Sequence, residues 1–343
     1  MAPRVVTFGE LMLRLSPPGF ERLLQSPMFV ATFGGGEANV AVSLAHLGIE
    51  SVYVTALPKN AIGDAAIRVL RAEGVVTDRI VRSGDRIGIY YAETGASQRA
   101  STVLYDRANS AISQMTPDAV DWADVMKEAA WLHVTGITPA LGERGSASTA
   151  RAISAAKEAG ARVSVDLNYR KKLWSEAKAK ETMGPMMRGV DVVIANEEDL
   201  QSVLGVQVPG TDVTSGQLNL QGFRQAAEQV TRDFGPPQVA ITLRESLSAS
   251  DNGWSAVLWD AGQKTMYESQ RYSVRLVDRI GGGDSFAGGL IYGLVTGRAP
   301  DEALRFAVAA SALKQTIPGD FNRVSLQEIE ALVGGDASGR VKR

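Results

Sequence analysis

Apolar residues along this chain keep two rhythms. Short runs rich in β-branched residues recur: RVVTFGE from Arg4, SVYVTAL from Ser51, WLHVTGI from Trp131, ARVSVDLN from Ala161, DVVIAN from Asp191 and QVAITL from Gln238. Each has the length of a buried strand. Between most of them apolar residues return at every third and fourth position, over 38–47, 65–72, 147–159 and 223–231, and Gly48, Gly74 and Gly160 close three of these helices. Strands alternating with helices predict an α/β fold, a mostly parallel sheet covered on both faces. Polar residues gather just past the strands, at Glu10, Thr138, Asn168, Arg170, Asn196 and Arg244, and in such sheets that end carries the ligand crevice.

Two segments break the rhythm. Residues 11–33 and 86–107 alternate like hairpin strands, the second rich in Tyr and Arg, and predict a small β-sheet lid over the crevice. Residues 205–223 read as a polar loop insertion and residues 334–343 as a flexible tail, which leaves a single domain over residues 1–333. No internal repeat is visible.

Composition narrows the chemistry. With 343 residues, 45% hydrophobic and 22% charged at a net charge of −2, the chain has ordinary globular balance and no broad positive field for nucleic acid or anionic lipid. An anionic ligand must then be held by local donors. The absence of cysteine removes disulfides, thiolate zinc sites and cysteine nucleophiles, and two histidines, His46 and His133, cannot build a histidine-rich metal site. No apolar signal core and no stretch of roughly 20 apolar residues is present, so the expectation is a cytoplasmic chain outside the membrane.

Two glycine turns carry the candidate chemistry. In DRIGGGDSFAGGL (278–290) the glycines permit close backbone approach, and a helix follows from Ser285 to Val295. Successive N–H groups at a helix start make an anion cradle, and Asp284 within it is either a helix cap or a base for a hydroxyl attacking a phosphate. In FGGGEANVAVSLAHLG (33–48) a glycine turn again precedes a helix. Asn39 there either caps the helix or bonds vicinal hydroxyls with its donor and acceptor. Neither turn is a P-loop, and no GxGxxG follows a strand, which disfavours hydride transfer on a dinucleotide fingerprint.

Together GGGEANVAVSLAHLG and DRIGGGDSFAGG resemble the paired signatures of the ribokinase-like (PfkB) sugar kinases, in that order, and the resemblance runs over residues 4–333. It implies a ribokinase-like three-layer α/β/α core with a β lid, ATP-dependent phosphorylation of a sugar hydroxyl, Asp284 as the base and Gly281, Gly282 and Gly283 as the cradle of the transferred group. LYDRANSA, LHVTGITPAL and DLNYRKKLW are similar to segments of the 2-keto-3-deoxygluconate kinases within that family. The acceptor implied is a sugar acid. Arg107 and Arg170 would grip its carboxylate, and Gly35, Asn39, Tyr90 and Tyr105 would line its carbon chain. Asn196, Thr242 and Arg244, with Gly281 and Gly283, would meet ATP, and Asp199 would reach Mg²⁺ through water.

The chain departs from the family pattern in two places. Residues 245–253 form a longer turn without the usual glycines. Arg279 and Ile280 stand where threonine is common, which removes hydroxyls beside a candidate monovalent-cation site. Exposed lid strands imply a homodimer. The rivals are a kinase for a neutral sugar such as fructose or ribose, and a non-catalytic sugar-binding protein on the same scaffold.

Overall fold

The computed structural model describes residues 3–210 and 219–339. Nine strands form one sheet. Its path runs Thr265–Glu268, Asp251–Asp260, Gln238–Ser246, Val192–Ala195, Arg162–Asp166, Ala129–Thr135, Arg4–Phe8, Glu50–Val54, with Tyr272–Arg275 paired beside the first part of Asp251–Asp260. The six strands from Gln238–Ser246 to Glu50–Val54 are mutually parallel, and the additions beyond them are antiparallel. Because side chains alternate across a strand, Val5 and Trp131 pack on one face while Val6 and Leu132 pack on the other. The face of Val6 is covered by helices that include Glu143–Glu158, Glu176–Met186 and Leu220–Phe234, through Ile153, Met183 and Phe223. The face of Val5 meets Gly36–His46, Gly282–Val295 and Pro300–Lys314. The result is a three-layer α/β/α core.

Glycines set how closely three of these helices meet. A Cβ on Gly288 would lie 2.7 Å from the Cβ of Ser43, and one on Gly289 would lie 2.8 Å from the Cα of Ala307. The helix that begins at the 281–283 turn is therefore wedged between its two neighbours and its first turn is held in place.

A separate four-stranded sheet runs Val30–Gly34, Met12–Ser16, Gly88–Glu93, Thr102–Asp106. Its two central strands are parallel and each forms an antiparallel hairpin with its outer neighbour. Between Met12–Ser16 and Val30–Gly34 the chain turns rather than extends, so the alternation read over 11–33 is strand only at its two ends. The helices begin earlier than their apolar periodicity suggests, at Gly36, Ala61, Glu143 and Leu220, because a first turn holding a glycine with polar or exposed residues precedes the apolar stripe in each.

The stretch 245–253, read as a long turn, is different. Gln238–Ser246 and Asp251–Asp260 pair as far as Ser246 with Asn252, and only residues 247–250 turn, closed by the Ser248 side chain accepting from the N–H of Ser250 and of Asp251 at 3.0 Å each. The hydrogen-bonding serines and Asp251 close the hairpin without the glycines. Residues 211–218 of the insertion read over 205–223 lie outside the described residues, as does the end of the tail, and the last four residues of that stretch begin the helix Leu220–Phe234.

Candidate active site

The carboxyl ends of the parallel strands and the inner face of the small sheet enclose a cleft of ≈ 1720 Å³, larger than the roughly 300–1,000 Å³ of a one-ligand pocket. It has room for two ligands. Every candidate site residue lines this cleft except Gly282, which Gln315 covers and whose carbonyl accepts from the Ser311 hydroxyl at 2.6 Å; of the polar residues past the strands, Glu10 and Thr138 are buried behind it.

Asp284 stands in the first turn of Gly282–Val295. Gly281 opens that helix at φ +82°, where a side chain is strained, and a Cβ there would lie 2.1 Å from the carbonyl O of Asp320. No side chain caps the helix, which leaves first-turn N–H groups for a ligand in the cleft. Asp284 is thus not serving as the cap. Its Oδ2 accepts instead from the Asn39 amide Nδ2 at 2.6 Å. Burial pushes the Asp284 carboxyl up to about 6, against the opposing pull of that hydrogen bond. A carboxyl with this value, beside a cradle for anions, has what a general base at neutral pH requires.

The other glycine turn brings the backbone close to this carboxylate. A Cβ on Gly35 would lie 1.9 Å from the carbonyl O of Glu10, and one on Gly36 would lie 3.6 Å from Asp284 Oδ1. Asn39 sits one turn on and shares its amide between the two motifs: Oδ1 accepts from the Gly35 N–H at 3.3 Å while Nδ2 holds Asp284. The reading of Asn39 as a partner of sugar hydroxyls is narrowed by this bond, since one amide hydrogen is committed to Asp284. Across the strand ends, Asn168 adopts a positive φ of 40°, a conformation that asparagine tolerates, and lines the same region.

On the side of the small sheet the two arginines differ. Arg107 is buried and its Nη2 is paired with Glu10, which also accepts from the Ser110 hydroxyl at 2.6 Å; the Arg107 Nε has no hydrogen-bond partner among the described residues, and the guanidinium lies 5.2 Å from the ring centre of Tyr105. Arg170 is half-buried and donates to the Tyr169 carbonyl at 3.0 Å, with no carboxylate among the described residues bound to it. It is the freer cation. Tyr105 is partly exposed, whereas Tyr90 is buried and donates its hydroxyl to Asp320 at 2.6 Å.

On the far side, Asn196 and Asp199 form a reciprocal capping box, and Asp199 also accepts from the Tyr169 N–H at 2.9 Å. Both bonds draw Asp199 into local structure. Thr242 reaches the Ala195 carbonyl at 3.4 Å, and Arg244 is exposed at the cleft edge. Asp166, at the end of its strand, has its carboxyl pushed well up by burial and by Asp199 and Asp284, and burial also raises Asp199. Crowded carboxylates with hard oxygen donors suit a divalent ion such as Mg²⁺. Among the described residues no group of three or more His, Cys, Asp or Glu side chains could hold a metal, so such an ion would take other ligands from the phosphates it accompanies.

Sequence reading missed a buried charge cluster behind the glycine turn. Arg14 of the small sheet bonds Asp278 Oδ2 and Asp320 Oδ1 at 2.7 Å each, and Lys314 donates to backbone carbonyls beside them. Burial works against the Arg14 charge, yet Asp320 and Asp278 outweigh it and hold the guanidinium above its ordinary value. Glu37 was missed too. It is buried without a cation, its Oε1 accepting from the Thr135 N–H, the Thr135 hydroxyl and the Thr138 hydroxyl, and burial pushes it up to about 7. The only hint in the sequence was that Glu37 and Asp278 flank glycine turns.

The description "pfkB family carbohydrate kinase" matches residues 2–323. A 2-dehydro-3-deoxygalactonokinase of Haloferax volcanii is 35% identical over 340 residues, covering 98% of this chain and 99% of its own length. A 2-dehydro-3-deoxygluconokinase of Bacillus subtilis is 28% identical, covering 94% and 93%. Among solved structures, the 2-dehydro-3-deoxygluconokinase from Thermotoga maritima matches with a TM-score of 0.93 at 50% identity, over 97% of this chain and 100% of that one.

Proposed function

This chain belongs to the pfkB family of carbohydrate kinases, and from that premise we propose that it transfers the γ-phosphoryl group of ATP to the primary hydroxyl of 2-keto-3-deoxygluconate. The product is 2-keto-3-deoxy-6-phosphogluconate. One observation carries the reading: Asp284, the uncapped helix start at Gly281–Gly283 and the guanidinium of Arg170, whose hydrogen bond goes to the Tyr169 carbonyl and not to a carboxylate among the described residues, open on the same cleft. A base, a phosphate cradle and a carboxylate receptor are the three parts this transfer needs.

The sugar acid lies between the strand ends and the small sheet, its carboxylate on Arg170 and on the unpaired Nε edge of Arg107. Asp284 takes the proton of the hydroxyl as that oxygen attacks phosphorus, and Asn39 holds the carboxylate in line. Main-chain N–H groups of the 281–284 turn receive the charge that spreads over the migrating group. Mg²⁺, when bound with ATP, offsets phosphate charge, and Asn196 and Asp199 are the side chains that would order its water shell. Thr242 and Arg244 line the cleft and would meet the nucleotide along it.

A second reading comes from the Haloferax relative, a 2-dehydro-3-deoxygalactonokinase. Two assays separate the possibilities. A coupled ADP-release assay with the gluconate-derived acid, the galactonate-derived acid, fructose and ribose should give turnover with the first at the highest kcat/KM. Preference for a neutral sugar would refute the carboxylate assignment, and preference for the galactonate-derived acid would move it to the epimer. Cell extracts fractionated for activity test the cytoplasmic expectation, and light scattering tests the dimer.

A further inference from the structure

We propose that the phosphate-binding turn carries its own tethered cation, the ammonium group of Lys314, and that the enzyme therefore works without potassium or any other monovalent ion. The inference rests on the kinase reading above and concerns the same turn. Lys314 is the last residue of the helix Pro300–Lys314 and is wholly buried. Its Nζ donates to the carbonyl O of Asp278 at 3.2 Å and to the carbonyl O of Ile280. These carbonyls belong to the segment that leads directly into Gly281.

Converging carbonyl oxygens beside carboxylates make a donor set for a small hard cation. Here that set is already filled. The stem of Lys314 also packs on the turn, since a Cβ on Gly281 would lie 3.3 Å from its Cε. Charge balance points the same way. Asp278 and Asp320 are bound by Arg14 at 2.7 Å each, and both attract Lys314. Asp284 attracts Lys314 as well, so the ammonium already seated on these carbonyls is the cation that three neighbouring carboxylates share. The position at a helix carboxyl end adds the favourable end of the helix dipole. Burial draws the Lys314 ammonium below its ordinary value while Asp278 and Asp320 oppose that pull. Arg279 and Ile280, lacking hydroxyls, offer no side-chain oxygen to a competing ion. The candidate monovalent-cation site suggested by family resemblance thus does not fit the residues present.

Lys314 acts as a positioning residue: it fixes the carbonyls of Asp278 and Ile280 so that the following N–H groups point to the phosphates. The test measures ADP binding by calorimetry and sugar-acid turnover in sodium, potassium and ammonium salts at equal ionic strength. Wild-type protein should differ by no more than about 2-fold among the three, since bulk screening is the same in each. Lys314→Met keeps the stem and removes the charge. It should weaken ADP binding in sodium by about 10- to 100-fold, the worth of a charge-assisted hydrogen-bond set, and recover part of it in potassium or ammonium. Wild-type protein that needs potassium or ammonium overturns the proposal. So does a folded Lys314→Met, verified by circular dichroism, with wild-type binding and turnover in sodium, or one whose loss no small cation repairs. Should that variant not fold, the wild-type salt comparison decides alone. ADP binding is read without sugar, so a wrong sugar assignment would remove turnover and leave the binding arms intact.

Discussion

Asp284→Asn should separate catalysis from stability in opposite directions. The wild-type carboxyl is raised from 3.8 to about 6, chiefly by burial. An acid whose folded value lies above its unfolded value is bound to its proton more tightly in the folded chain. Its contribution to stability is fully present below the unfolded value and is lost as pH rises through the folded one. From these two values the ionised carboxylate costs about 3 kcal/mol at pH 8 and roughly half of that at pH 5. Asparagine has the same shape, stays neutral and can still accept from Asn39, so the variant avoids most of that cost. An unfolding entropy of about 2.1 cal/mol/K per residue converts 3 kcal/mol into a rise in Tm of about 4 °C at most for a chain of this size. Calorimetry should show the rise at pH 8 and a smaller one at pH 5, while kcat falls by about 10²- to 10⁴-fold for loss of the base. A Tm that falls at pH 8, or a kcat within a few-fold of wild type, would refute the reasoning.

The same carboxyl sets the pH profile: log kcat/KM should climb and level off near pH 6, and Asn39→Ala, which removes the hydrogen bond that lowers Asp284, should move that limb to higher pH. A limb that stays put in Asn39→Ala contradicts the 2.6 Å contact. Arg170→Ala should raise KM for the sugar acid by about 10- to 100-fold with little effect on neutral sugars. Arg107→Ala should also unfold more easily, by about 3–5 kcal/mol, because Glu10 is left buried without its cation. Adding Glu10→Gln should return most of that stability without returning KM, and denaturant titration with steady-state kinetics reads both.

The layers of the core were legible because burial imposes them. Strands such as WLHVTGI are apolar on both faces, and their helices repeat at the period a sheet-covering helix must have. Asp284 and Asn39 were legible for a related reason, since glycine is concentrated where the main chain must approach closely or turn at positive φ, and the acid or amide beside such a turn stands out. The roles of Arg14 and Lys314 were not. Arg14 alternates with leucines like any strand residue whose side chain faces water, and Lys314 ends an alanine-rich helix just where a solvent-exposed cation would sit. Only the folding of residue 14 against residue 320 converts these ordinary positions into buried ion pairs. The pairing of Arg107 with Glu10 is hidden in the same way, by a separation of 97 positions. The hairpin at 247–250 was hidden because serine and aspartate side chains do there what glycines do elsewhere.

Arg14 rivets the small sheet to the core. Pulling the sheet away would strand one guanidinium and two carboxylates in the interior, at several kcal/mol for each charge, and would also break the Tyr90 hydroxyl from Asp320. The sheet cannot swing as a rigid door. Its outer strand Thr102–Asp106 is mostly exposed, so the tie between sheet and core is made at the centre of the sheet and not at its rim.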